Sequence, residues 1–163
     1  MLFLIDGYNL MHAAGVVGHG RAGHLTPARL RFLDWLASAA HGRAETLRVV
    51  FDGQAAPADS GEAAYRGLHV RFAYRATADD EIEAELAALP RGGAVVVSND
   101  GRLHEAARRR GCAAWRCGRF VDWLIEQPQT GRAVDVDEEK PHDLAGDDEL
   151  LKAFAEPKHR PRR

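Results

Sequence analysis

The 163 residues make one domain's worth of chain, enough for a sizeable core but too few for two full domains. A hydrophobic share of 45% beside 28% charged residues is that of a soluble globular protein, and no apolar run reaches the length of a membrane span. A net charge of −2 excludes a generally basic nucleic-acid binder. The first residues lack the basic stretch and cleavage site of a signal peptide. Cys112 and Cys117 are too few for a disulfide framework, and their C-x4-C spacing matches no standard zinc pair. The expected compartment is therefore the cytoplasm, with no membrane association. Charge is unevenly spread. Residues 1–131 hold 15 acids and 15 bases, all of them arginines, and the three lysines (Lys140, Lys152, Lys158) lie beyond.

Taken in chain order, Leu2-Phe3-Leu4-Ile5 is a short apolar run that ends on Asp6-Gly7. Such a run predicts a strand buried on both faces, as in parallel sheets covered by helices. Met11 to Gly23, rich in glycine and histidine, reads as a loop. Thr26-Pro27 reads as a helix start, with Leu30, Leu33, Trp35, Leu36 and Ala40 on the apolar face and His41-Gly42 at the end. Residues 47–53 predict a second strand, again finishing on an acid and a glycine, Asp52-Gly53. Residues 54–66 read as a connection, and Leu68 to Tyr74 alternates as a strand nearer an edge.

Thr77 caps a further predicted helix whose first turn carries Asp79, Asp80 and Glu81. Pro90 to Gly93 breaks it. Residues 94–100 form an apolar strand ending at Asp100, followed by a helix to Arg110, a short strand at 113–115 and a packing helix over 120–125. From about residue 127 the pattern dissolves. Residues 132–163 carry nine acids against seven bases with scattered prolines, and 127–163 is expected to be a polar, disordered tail.

Strand–helix alternation with right-handed crossovers brings every strand's carboxyl end to one edge of the sheet. Asp6, Asp52 and Asp100 end three strands there, and Asp79 and Asp80 start a helix at the same edge. A charged group at the end of a buried strand needs compensation. One reading makes Asp6 the cap of the next helix and Asn9 a turn residue. The repetition of acids at strand ends points instead to a crevice whose carboxylates repel unless a cation joins them. All-oxygen donors suit Mg2+ or Mn2+ and not zinc, and such ions activate water for in-line phosphoryl displacement.

Three motifs carry a resemblance: Asp6-Gly7-Tyr8-Asn9 after the first strand, Thr77-Ala78-Asp79-Asp80-Glu81-Ile82-Glu83 at a helix start, and Val96-Val97-Ser98-Asn99-Asp100 after a later strand. In this order they resemble the NYN domain, and more narrowly its YacP-like branch within the PIN-like nuclease superfamily. The resemblance covers about residues 1–126 and implies a PIN-like three-layer α/β/α sandwich with a central, mostly parallel sheet and an acidic site at the strand C-terminal edge. It implies a metal-dependent endoribonuclease. Asp6, Asn9, Asp79 and Asp100 would be catalytic, and Asp6, Asp79, Asp80, Asp100 and Asp52 would stand around Mg2+ or Mn2+. Between Asp79 and Asp80 the motif favours Asp79 for the metal.

Rival readings fit less well. A haloacid-dehalogenase-like phosphatase needs a second Asp where Tyr8 stands, and it and phospho-receiver domains need a lysine this region lacks. A dinucleotide-binding fold needs a glycine-rich loop after the first strand. The competitor from another class is a PIN-like module that binds RNA or protein without cutting. For RNA contact the candidates are Arg108, Arg109 and Arg110 with Arg116 and Arg119, together with Tyr8 and Ser98. His12, His19 and His24 read as ordinary loop residues. Because the domain is neutral around an acidic crevice, RNA is expected to be presented by a ribonucleoprotein assembly such as the ribosome.

Overall fold

The structure, a computed structural model, describes residues 1–16, 25–53, 62–74 and 76–126. In chain order it runs β1 (Leu2–Asp6), α1 (Gly7–Ala13), α2 (Leu25–Ala39), β2 (Thr46–Gly53), β3 (Glu62–Tyr65), β4 (Leu68–Tyr74), α3 (Ala78–Ala88), β5 (Ala94–Val97), α4 (Gly101–Arg109), β6 (Ala113–Trp115) and α5 (Cys117–Glu126). The strands form one sheet in the order β3-β4-β2-β1-β5-β6. All neighbours are parallel except β3, which is antiparallel to β4.

β1 lies inside the sheet, with Ile5 level with Val49 of β2 and Val97 of β5. Its alternation divides the core. Phe3 and Ile5 face one layer with Leu10 and Met11 of α1, Phe32, Leu33 and Leu36 of α2, and Phe120 and Leu124 of α5. Leu4 faces the other with Ile82 and Leu86 of α3 and Leu103, Ala106 and Ala107 of α4. This is the expected three-layer sandwich. Each fully buried Leu, Ile or Phe contributes about 1.5–3 kcal/mol relative to exposure, which favours an unbroken apolar run in the central strands.

Three local expectations change. Residues 62–65, read as part of a connection, form the edge strand β3, joined to β4 through Arg66 and Gly67, both at positive φ (46° and 87°). That two-residue turn matches the twist of a hairpin. Residues 11–13, read as loop, complete α1, whose Leu10 and Met11 are buried. α5 begins at Cys117, earlier than expected, because the Asn99 side-chain oxygen accepts the Cys117 N–H at 3.0 Å. The expected tail at 127–163, along with His19 and His24, lies outside the described residues.

Buried charge also holds α3 on the sheet. Glu85, 8% exposed, accepts from Arg48 of β2 at 2.9 Å and Arg71 of β4 at 3.2 Å, and Arg71 reaches Glu81 at 2.6 Å. The helix that carries Asp79 is thus pinned to two strands. Among the described residues no helix is long and apolar enough to cross a membrane.

Candidate active site

Asp6 closes β1 and caps α1 at once. It is 4% exposed, and its carboxylate accepts the Asn9 backbone N–H at 3.1 Å, the Asn9 side-chain amide, and the Ser98 hydroxyl at 3.1 Å. Capping and site membership are therefore one arrangement: hydrogen bonds compensate the buried charge and fix its orientation. Ser98, one residue past β5, is fully buried, and its oxygen also accepts the Asp100 N–H at 3.0 Å. Asp100 caps α4 by accepting the Arg102 N–H at 2.7 Å. His104 on α4 hydrogen-bonds the Ser98 carbonyl through Nε2 at 2.7 Å.

Asp52, the penultimate residue of β2, accepts the Ala78 N–H at 2.6 Å. That bond sets the first residue of α3 at the sheet edge and delivers Asp79. The Asp79 carboxyl is pushed up to about 6, first by burial and then by the charges of Asp6, Asp100 and Asp52, with Arg102 opposing. Asp6, Asp52 and Asp100, from three other segments, thus lie near enough to Asp79 for their charges to act on it. Asp80 points elsewhere. It completes the capping box with Thr77 and accepts from Arg102 at 2.6 Å, which holds it below the usual carboxylate range. Arg102 also reaches Glu83 at 2.6 Å. Of the two adjacent acids, Asp79 faces the cluster, and Asp80, expected beside a metal, is an outward ion-pair partner.

Among the described residues, no three Asp, Glu, His or Cys side chains are drawn together closely enough to cage an ion unaided. The acids form an electrostatic neighbourhood instead of a closed cage. In kind they fit a hard divalent cation, since the converging donors are carboxylate oxygens. The nearby Cys117 thiol is pushed up to about 12 by burial and by Asp6, so it stays protonated and offers no thiolate.

The residues expected to meet RNA fare differently. Ser98 is buried and serves Asp6. Tyr8 is half-buried, edge-on to Phe51 at 5.4 Å with the Arg29 guanidinium 5.8 Å from its ring centre, so its ring packs against the core. Arg108, Arg109 and Arg110 end α4, whose start is at the acid crevice. A nine-residue helix is about 13 Å long, which carries all three toward the opposite edge of the sheet. Arg110 is occupied there, donating to the carbonyls of Leu86, Ala87 and Leu89 at the end of α3. Arg108 pairs with Glu105 at 2.9 Å. Sequence reasoning passed over Arg102, Asn99 and His104, which stand in or beside the third motif. Their partners appear only in the tertiary structure: Asp80 and Glu83 of α3 for Arg102, the start of α5 for Asn99 and the Ser98 carbonyl for His104.

A family model described as the YacP-like NYN domain matches residues 3–156, extending past α5. A crystal structure of Rae1 (YacP) from Bacillus subtilis, the W164L mutant, superposes with a TM-score of 0.61 at 22% identity, covering 76% of this chain and 74% of that one. A second crystal structure of Rae1 (YacP) from Bacillus subtilis gives 0.58 at 21% identity, covering 76% and 73%. No curated protein sequence matches this chain. At these identities the two structures speak for the fold.

Proposed function

The chain belongs to the YacP-like NYN domain family, whose domain is nuclease-like, and from that premise we propose that it is a metal-dependent endoribonuclease. The observation that carries this reading is Asp79. Its carboxyl is raised to about 6, first by burial and then by the charges of Asp6, Asp100 and Asp52, so these acids stand near enough to repel Asp79 where no cation joins them. Asp6, Asp79 and Asp100, with Asp52 alongside, would hold Mg2+ or Mn2+. Such a cation, when bound, lowers the pKa of water and neutralises charge on a phosphodiester undergoing in-line displacement.

The chain's own residues prepare that chemistry. Ser98 and Asn9 orient the Asp6 carboxylate through three hydrogen bonds. Asp52 holds the start of α3 so that Asp79 enters the crevice, and Arg102 limits the rise of its pKa. Below about pH 6 Asp79 keeps its proton, so the full charge of the site develops only above that pH. RNA is the proposed partner, presented within a ribonucleoprotein assembly such as the ribosome, because a neutral domain with an acidic crevice has little general affinity for phosphates. Two buried free thiols, Cys112 and Cys117, support a reducing, cytoplasmic setting.

The competing reading, a silent binding module, draws on the lack of a preformed cage among the described residues. Incubation with structured and single-stranded RNAs in Mg2+, Mn2+ or EDTA, beside an Asp6→Asn control, separates the two. Cleavage that needs a cation and disappears with Asp6→Asn supports the nuclease. Cleavage that persists in the Asp6→Asn protein, or none with either ion on presented RNA, sinks it.

A further inference from the structure

We infer that Arg116 and Arg119 form a phosphate-binding flank of the acid crevice, along which single-stranded RNA runs beside the cleaved bond. This rests on the endoribonuclease reading and adds to it the path of the substrate. Arg116 is held between two residues bonded to the loop after β5. Trp115 accepts the Ser98 N–H at 3.2 Å through its carbonyl, and Cys117 donates to the Asn99 side chain at 3.0 Å. Ser98 in turn donates to Asp6. β6 lies two strands from β1, so Arg116 leaves the same sheet edge about 10 Å from the end of β1. Arg119 follows three residues on, in the first turn of α5, with Arg116 the residue immediately before that turn.

Charge and order set this pair apart. Both arginines are exposed and, among the described residues, neither makes an ion pair, which they share with Arg31, Arg91 and Arg109; what those three lack is a place at the start of α5 beside the loop after β5. The first turn of α5 contains no acid. The Arg119 guanidinium lies 4.3 Å from the centre of the Trp115 ring, and that ring is wedged against Phe3 and Trp123. Stacking on an anchored ring leaves the charge and the donor fork available while reducing the entropy lost on binding. A guanidinium fork matches phosphate oxygens, so the partner that suits this flank is the backbone of an RNA strand. Arg108 and Arg109, at the far end of α4, provide the internal comparison.

The experiment uses two readouts on the full chain. Binding of a short labelled single-stranded RNA is followed across a salt series in the Asp6→Asn protein, and cleavage is followed without that change. Replacing both residues (Arg116→Glu with Arg119→Glu) should weaken binding about tenfold or more at low salt and lower the salt slope by about 1.4. The same pair should raise KM and leave kcat nearly unchanged, and Arg108→Glu with Arg109→Glu should do neither. A milder pair, Arg116→Ala with Arg119→Lys, keeps a cation over Trp115 and should still weaken binding, which separates charge from folding. Unchanged binding in both variant pairs at the start of α5, or equal losses from the two arginine sites, overturns the inference. If the parent chain cuts neither bare nor presented RNA yet binding still depends on Arg116 and Arg119, the nuclease reading fails and the flank stands.

Discussion

The Ser98 hydroxyl donates to the Asp6 carboxylate at 3.1 Å across 92 positions of chain, and the same oxygen accepts the Asp100 N–H at 3.0 Å. One buried side chain therefore sets both the acid that ends β1 and the acid that starts α4. Ser98→Ala removes a donor to a buried carboxylate and leaves the Asp100 N–H without its acceptor. The expected cost is about 1–3 kcal/mol. Urea unfolding should show a lower midpoint at unchanged slope, and a Ser98→Thr protein that keeps the hydroxyl should recover part of the loss. A stability for Ser98→Ala equal to the parent would remove this bond from the account.

Gly7 begins α1 against the face of Phe51, and a Cβ placed there would overlap that ring. Phe51 is fully buried and stacked on Phe72, so it has little room to move. Gly7→Ala should cost about 1–3 kcal/mol through overpacking. It should also reduce cleavage beyond any loss of folded protein, because Asp6 and Asn9 flank the displaced residue. Activity per folded molecule that matches the parent would refute the second part.

The raised Asp79 carboxyl makes the metal-free protein sensitive to pH in a defined direction. Unfolded, the group ionises near its ordinary value of 3.8; folded, it holds its proton to about pH 6. Between these values the folded state binds more protons, so stability falls as pH rises through the window and then levels off. Asp79→Asn should therefore raise the melting temperature above pH 6 and have little effect below pH 4. Mn2+ or Mg2+ should stabilise the parent more at pH 8 than at pH 5, and stabilise Asp79→Asn less at either. Thermal melts with and without EDTA supply the check. An equal advantage for Asp79→Asn at pH 4 and pH 8 would contradict the electrostatic cause.

Arg110 binds the end of α3 through Leu86, Ala87 and Leu89, at the far end of the helix from Asp79. Arg110→Ala should cost about 2 kcal/mol by leaving helix-end carbonyls without their donors. RNA affinity of the folded protein should not change. A salt-dependent loss of RNA binding without a loss of stability would return Arg110 to the nucleic-acid surface.

The strand and helix content of this chain was legible because its apolar runs are short and unbroken and their ends are marked. Leu2 to Ile5 and Ala94 to Val97 stop at polar residues, and Thr77 with Asp80 forms the capping box that its spacing announces. That Asp6, Asp52 and Asp100 stand at or just past strand ends, and Asp79 at a helix start on the same edge, was legible too, since parallel strands place their carboxyl ends on one edge. β3 was not, because Glu62 to Tyr65 is half-exposed and owes its strand form to pairing with β4.

Other assignments needed tertiary structure. Asp79 and Asp80 are adjacent acids in one helical turn, and their separation into a crevice group and an Arg102 partner depends on how α3 meets α4. The run Arg108-Arg109-Arg110 shows abundant charge, but its position at the helix end opposite the crevice appears only once α4 is laid on the sheet. Sequence determined which chemical groups this protein has and which elements carry them. Packing decided which of them face one another, because side-chain direction depends on helix phase and on partners distant in the chain.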